Sequence, residues 1–345
     1  MKFSERKEQW ISFMDMSSNV KTIILVDCAI PDLGPRPLPY PDRIQERIDF
    51  AVRAYEGKME RAEWLPDDAM PAVLPYTGTE IFAEAFGSPV HLPGNGMPFA
   101  RPLIYSVNEI GKVKVPPIEG TILGQLFEIA YQLKRRCGKD AVLALPDIQS
   151  PFDIAALIWE KADFLASMIV EPKAVEDLCA MTEQTLIEFL DRWFSEFGTD
   201  YLAHFPDYFM RGGLTLSEDE IGEFSPAMFD QFCLDGLNRL SERYGGIGIH
   251  TCAHSKHQWE NLKKIKGLRL LNLVQPPKVL REGYKFFEGV AQMHSWFGDG
   301  EPSEGWTENF PAGAHVVIRS NATDKEEALR KCDQLRQIAE LRARR

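Results

Sequence analysis

Apolar residues return every third or fourth position from Asp42 to Lys58, which places Ile44, Ile48, Ala51 and Tyr55 on one face and predicts a helix. Arg6 to Met16 predicts a shorter amphipathic helix, and Thr22 to Val26 is a buried apolar run. Between them and the longer helix, Pro31 to Pro41 holds five prolines, which exclude helix and regular sheet. That segment reads as a linker or a lid-like loop. Pro66 to Pro116 is rich in Pro and Gly, with helical spacing only from Thr79 to Phe86.

From residue 120 the pattern alternates between strand and helix. Helices are expected over Thr121–Cys137, Ile154–Met168, Pro172–Phe197, Ser225–Tyr244, Trp259–Ile265 and Asp324–Arg344. The start at Ser225-Pro226 combines an N-cap with proline in the first turn. Strands are expected over Ala141–Leu145, Tyr201–Phe205, Gly246–His250, Leu268–Val274, Phe286–Met293 and His315–Arg319. Alternation of this kind implies an α/β fold with a parallel sheet. At 345 residues the chain fits one large barrel or two ordinary domains, and one domain is the better fit.

The most informative stretch is Gly248-Ile249-His250-Thr251-Cys252-Ala253-His254. On a strand, positions i and i+2 leave the same face, so His250 and Cys252 project together. Imidazole and thiolate are zinc ligands, and a third, distant donor would complete a site with one open position. A lone His-x-Cys is more often an ordinary pair at a strand end, so its surroundings decide.

Those surroundings are Leu214 to Asp219, then Phe224-Ser225-Pro226-Ala227-Met228-Phe229, then a helix and Ile249-His250-Thr251-Cys252; upstream stands Pro146-Asp147-Ile148-Gln149-Ser150-Pro151-Phe152-Asp153. In order and spacing, over roughly residues 70 to 345, this resembles the uroporphyrinogen decarboxylase superfamily, which includes zinc-dependent corrinoid and thiol methyltransferases. The resemblance implies a (β/α)8 TIM barrel over 61–345, preceded by a helical and irregular N-terminal extension, 1–60, that carries the Pro-rich linker. It also implies an enzyme that moves a methyl group between a corrinoid, free or on a partner protein, and a thiol or similar small acceptor. The family's metal-free activity, decarboxylation of a porphyrinogen, relies on an Arg-Gln-Ala-Gly-Arg pattern that is absent here; Arg36, Arg43 and Arg47 lie near that region at other spacings. A barrel that binds a corrinoid or tetrapyrrole without turning it over is the third reading.

In a barrel the ligand face is the C-terminal end of the strands. That rule selects Asp147 and Asp207 as catalytic candidates, Gln149, Tyr208, Asn272 and Gln292 as substrate-binding candidates, and His250, Cys252 and His294 as metal ligands. It also touches His254, Gln275, Ser320 and Asn321. The resemblance implies a second zinc-binding cysteine after the last strand, but Val316 to Asn321 has none. Cys332 sits at core spacing in the last helix, so His294 is the preferred third ligand.

Composition narrows the partners. The chain has 39 Lys and Arg against 51 Asp and Glu, a net charge of −12 that opposes binding to nucleic acid or anionic membranes. No stretch approaches the roughly 18 apolar residues of a membrane span, and the first residues carry no signal core, so a cytoplasmic location is expected. The six cysteines are scattered, as reduced thiols are.

Overall fold

The computed structural model describes residues 2–296 and 301–344. Its strands are β1 (Thr22–Cys28), β2 (Ala72–Val73), β3 (Val142–Leu143), β4 (Asp200–Leu202), β5 (Phe209–Arg211), β6 (Leu214–Ser217), β7 (Ile247–Thr251), β8 (Leu268–Leu273), β9 (Ala291–Trp296) and β10 (His315–Ala322); a short ladder, Val90–His91 with Phe99–Ala100, lies apart. Six of them form one all-parallel sheet in the order β1-β10-β9-β8-β7-β6. β2 and β3 pair in parallel. Ser217 N donates to Ile148 O and Ser150 N to Ser217 O, which ties the residues after β3 to β6. At the other edge Asp68 N donates to Ile24 O of β1. The result is a TIM-barrel-like α/β fold, as expected.

Helices cover the sheet: α1 (Phe3–Met14), α2 (Ile44–Trp64), α3 (Ile81–Ala85), α4 (Ile122–Cys137), α5 (Pro151–Ile158), α6 (Lys161–Val170) and α7 (Pro172–Phe197) in the first part of the chain. α8 (Pro226–Phe232), α9 (Leu234–Tyr244), α10 (Trp259–Leu262), α11 (Pro277–Phe286) and α12 (Lys325–Ala343) follow. The expected helix over Pro172–Phe197 has those bounds. Two others are each two helices. The break after Ile158 is recapped by Glu160, which accepts from Asp163 N, and the run from Ser225 breaks at Cys233. Cys332 is fully buried in α12, as its spacing requires.

Two corrections concern the sheet. Residues 1–60 are more than an extension, because β1 pairs with β10 over seven residues, from Thr22 with Val316 to Cys28 with Ala322. And Phe286 ends α11, so β9 begins only at Ala291. Phe286 and Phe287 pack on Trp259 instead of entering the sheet.

The edge of β1 facing Asp67 and Asp68 has no regular partner, since Pro66 and Pro71 bracket the neighbouring segment. Side chains replace the ladder. Asp68 Oδ2 accepts from Ile24 N at 2.7 Å and Asp67 Oδ2 from Val26 N at 3.0 Å, so buried amides are satisfied by buried carboxylates. Arg336 of α12 holds Asp68 at 2.8 Å. Asp68→Asn keeps one acceptor but loses the ion pair, and is expected to cost about 1–3 kcal/mol by thermal or urea unfolding. An unchanged midpoint would mean that the carboxylate does not close this edge.

Candidate active site

The rim where the parallel strands end gathers polar side chains from many separate segments. His250, near the end of β7, is buried; its Nδ1 lies 2.6 Å from Asn272 Oδ1 on β8. Asn272 in turn donates from Nδ2 to Met293 O at 2.6 Å, which fixes the amide with its oxygen toward the imidazole. The oxygen can only accept, so Nδ1 carries the proton and Nε2 holds a free lone pair. Burial pushes the His250 pKa below the ordinary histidine value, so the ring is neutral at pH 7. Phe205 stacks on it with centroids 5.2 Å apart.

One residue past β7, Cys252 is exposed. Its backbone N donates to Asp219 Oδ1 at 2.6 Å. Partial burial, followed by the Asp219 charge and the hydrogen bond from the thiol to Asp219, pushes the thiol up to about 11. Cys252 is therefore a protonated thiol at neutral pH. Asp219 is held in place from behind, since Asp153 accepts Asp219 N at 2.6 Å and Glu220 N at 3.0 Å. Asp153 starts α5 behind the Ser150 cap. Burial lifts Asp153 to about 7 and Glu218 well above the carboxylate range.

Asp147 follows β3, and its backbone N donates to Thr77 Oγ1 at 3.0 Å. It is 5 % exposed, and burial, with Asp219 second, pushes it up to about 7. Its Oδ2 lies 3.5 Å from Nε2 of His204, a residue outside the set expected from the sequence. Burial lowers the His204 pKa to about 4, and its Nδ1 is buried without a partner. The signal was present: β4 ends at Leu202 instead of Phe205, which makes His204, like Asp147, a residue just past a strand. Gln149 also faces this region with Oε1 buried and unpartnered.

The other expected residues lie elsewhere. Asp207 is exposed in a left-handed turn, φ 65°, and Tyr208 is fully buried against the Trp10 ring of α1. Gln292 and His294 are corrections. With β9 running from Ala291 to Trp296, and its register against β10 shifting after Gln292, both stand within the strand instead of past its end and serve α11. Gln292 Nε2 donates to Tyr284 O and Phe287 O. His294 Nδ1 accepts from Leu273 N at 2.9 Å and Nε2 donates to Gln292 Oε1 at 3.0 Å, so neither ring nitrogen has a lone pair for a metal. His294 is not the third ligand.

The donor set for zinc is accordingly short. His250 and Cys252 lie two residues apart at the end of β7, but among the described residues no group of three or more His, Cys, Asp or Glu side chains could hold a metal ion. Protein zinc sites take three or four protein donors, so the residues present do not fit a resident zinc. Among the described residues, no helix is long and apolar enough to cross a membrane.

The sequence profile described as uroporphyrinogen decarboxylase (URO-D) matches residues 70–275 of this chain. Among solved structures, the chain is similar to a methyltransferase from Methanosarcina mazei, with a TM-score of 0.65 and 12% identity over 97% of this chain and 98% of that one. A direct search of curated proteins finds no match.

Proposed function

The chain belongs to the uroporphyrinogen decarboxylase family, and within it we propose an enzyme that transfers a methyl group to a small thiol or similar acceptor at the rim around His250. The observation that carries this reading is the His250–Asn272 pair, a neutral imidazole with Nε2 left free that feels the charge of Asp219. The likeness to a methyltransferase of known structure supports it. Family and neighbour both point to an enzyme.

In the proposed step His250 Nε2 takes the acceptor's S–H proton, and Asn272 Oδ1 holds the Nδ1–H of the imidazolium that forms. The sulfur lone pair attacks the methyl carbon. One S–C bond forms while the bond from methyl to donor breaks, its electron pair leaving with the donor. A methylated corrinoid carried by a partner protein is the proposed donor. Asp147, half protonated near pH 7 beside neutral His204, offers a hydrogen bond to the acceptor. No step is assigned to zinc, because among the described residues no group of three or more His, Cys, Asp or Glu side chains could hold it.

A second reading, loss of a carboxyl group from a carboxylated substrate, draws support from three cations near the rim: Arg36, Arg47 and Lys58. Incubating the protein with methylcobalamin and a small thiol, and following the cobalamin spectrum, tests the first reading. Protein-dependent demethylation is the expected result, with well under one zinc per chain by elemental analysis. Accumulation of coproporphyrinogen from uroporphyrinogen, with no demethylation, would replace it by the second. One zinc per chain that is lost in Cys252→Ser would restore the metal.

A further inference from the structure

A cavity of about 240 Å³ lies among α5, α7, α8 and α9, and neither His250, Cys252, Asp147 nor Asp219 lines it. Among the described residues around it, Glu176, Glu183, Glu218 and Asp235 are acids and Arg239 is the one cation. That cation is already engaged. Arg239 Nε donates to Glu183 Oε1 at 2.8 Å and Nη2 to Glu183 Oε2 at 2.6 Å, a fork-to-fork pair that leaves the other three acids without a counter-charge from the lining. Gln231 Nε2 donates to Glu176 Oε1 at 3.1 Å, and with Asp235 these residues form the accessible mouth.

An acidic cluster is not by itself a site, and what makes this one is its floor. Glu218 is fully buried there, held from its backbone N by His250 O at 2.9 Å, and neither of its carboxyl oxygens has a hydrogen-bond partner. A buried carboxyl left without a donor is costly, and a bound donor would satisfy it. Burial, with the Asp153 charge second, favours the protonated acid, so a cation that enters releases one proton to solvent and pairs with the carboxylate. The cation is not a metal, since among the described residues no three such side chains converge closely enough to hold one. An ammonium group needs only two or three acceptors at about 2.8 Å. The remaining wall is apolar, with Leu237 and the rings of Phe152 and Phe232, whose centroids stand 6.3 Å apart. Ring faces attract a cation, and apolar walls take an alkyl chain. Drug-sized ligands occupy roughly 300–1,000 Å³, so this cavity takes something smaller.

We propose that this cavity binds a small primary alkylammonium ion, with its N–H groups on Glu218 and Glu176 and its alkyl chain against Phe152, Phe232 and Leu237. The assignment stands whatever reaction the rim performs, because its test reads binding alone. Isothermal titration of the full chain in an amine-free buffer with n-butylammonium, 1-butanol and potassium chloride decides it. The ammonium is expected to bind saturably and the alcohol at least about tenfold more weakly, with Glu218→Gln weakening the ammonium by about tenfold. Glutamine keeps the shape of the protonated acid. Ala180→Trp, at an exposed position on the wall, is expected to fill the cavity and weaken the ammonium by a similar factor, which keeps the test open if Glu218→Gln does not fold. No saturable binding of the ammonium, equal affinity for ammonium and alcohol, or wild-type affinity in either folded variant would overturn the site. Saturable potassium binding without ammonium binding would overturn the choice of an organic cation.

Discussion

Replacing His250 by glutamine is expected to lower the rate of methyl transfer by about 10²–10⁴-fold, the usual contribution of a positioned general base. The glutamine can still donate toward Asn272 and fill much of the same space under Phe205, so the thermal midpoint should move little. What disappears is the Nε2 lone pair. The pH profile separates loss of the base from a general disturbance. Burial lowers the His250 pKa, so the ring stays neutral below the ordinary histidine range. Wild-type rate should therefore rise with pH and level off below about 6.5, while the residual rate of His250→Gln should lack that step. Asn272→Leu should move the step and reduce the rate less, since it removes only the acceptor that orients the ring. If His250→Gln kept half the wild-type rate, His250 would not be the base.

The same residues show what a sequence can and cannot display. α7 was legible because its period is long and proline marks its first turn, and His250 with Cys252 because strand periodicity is local. β9 was misplaced because Phe286 and Phe287 look like strand residues. Their placement is decided by Trp259, which is distant in sequence, although Pro276-Pro277 already signalled a helix start. That displacement of a few residues turned Gln292 and His294 from site residues into supports for α11. His204 was lost by the opposite error, a strand read three residues too long. The grouping of Arg36, Arg47 and Lys58 was half legible, since the sequence singles out the two arginines but not the lysine. Arg36 lies in a proline-rich loop, while Arg47 and Lys58 belong to a helix eleven positions apart, and only the fold around Tyr76 brings them together.

Stability should carry the mark of the buried acids, and Asp147→Asn should expose it. Asp147, Asp153 and Glu80 are each pushed up to about 7 by burial, against ordinary carboxylate values near 4. A raised carboxyl favours the protonated form in the fold. Its contribution is fully present below the unfolded pKa and is lost as pH rises through about 7. For Asp147, the rise from an ordinary value near 4 to about 7 corresponds to a loss of about 4 kcal/mol at most between pH 4 and pH 8. His204 and His294 act in the other direction, since burial lowers them to about 4 and about 3; their contribution is present above about 6.5 and is lost as pH falls. The wild-type curve mixes both slopes. The difference between Asp147→Asn and wild type isolates one group. It should be near zero at pH 4, where both side chains are neutral, and should favour the variant progressively up to pH 8. Urea unfolding at pH 4.5, 6.5 and 8 measures that difference, with Glu80→Gln as a second case whose Oε2 is buried without a partner. A variant less stable than wild type at pH 8 would show that the Asp147 carboxylate is stabilised in the fold by partners stronger than the 3.5 Å contact with His204.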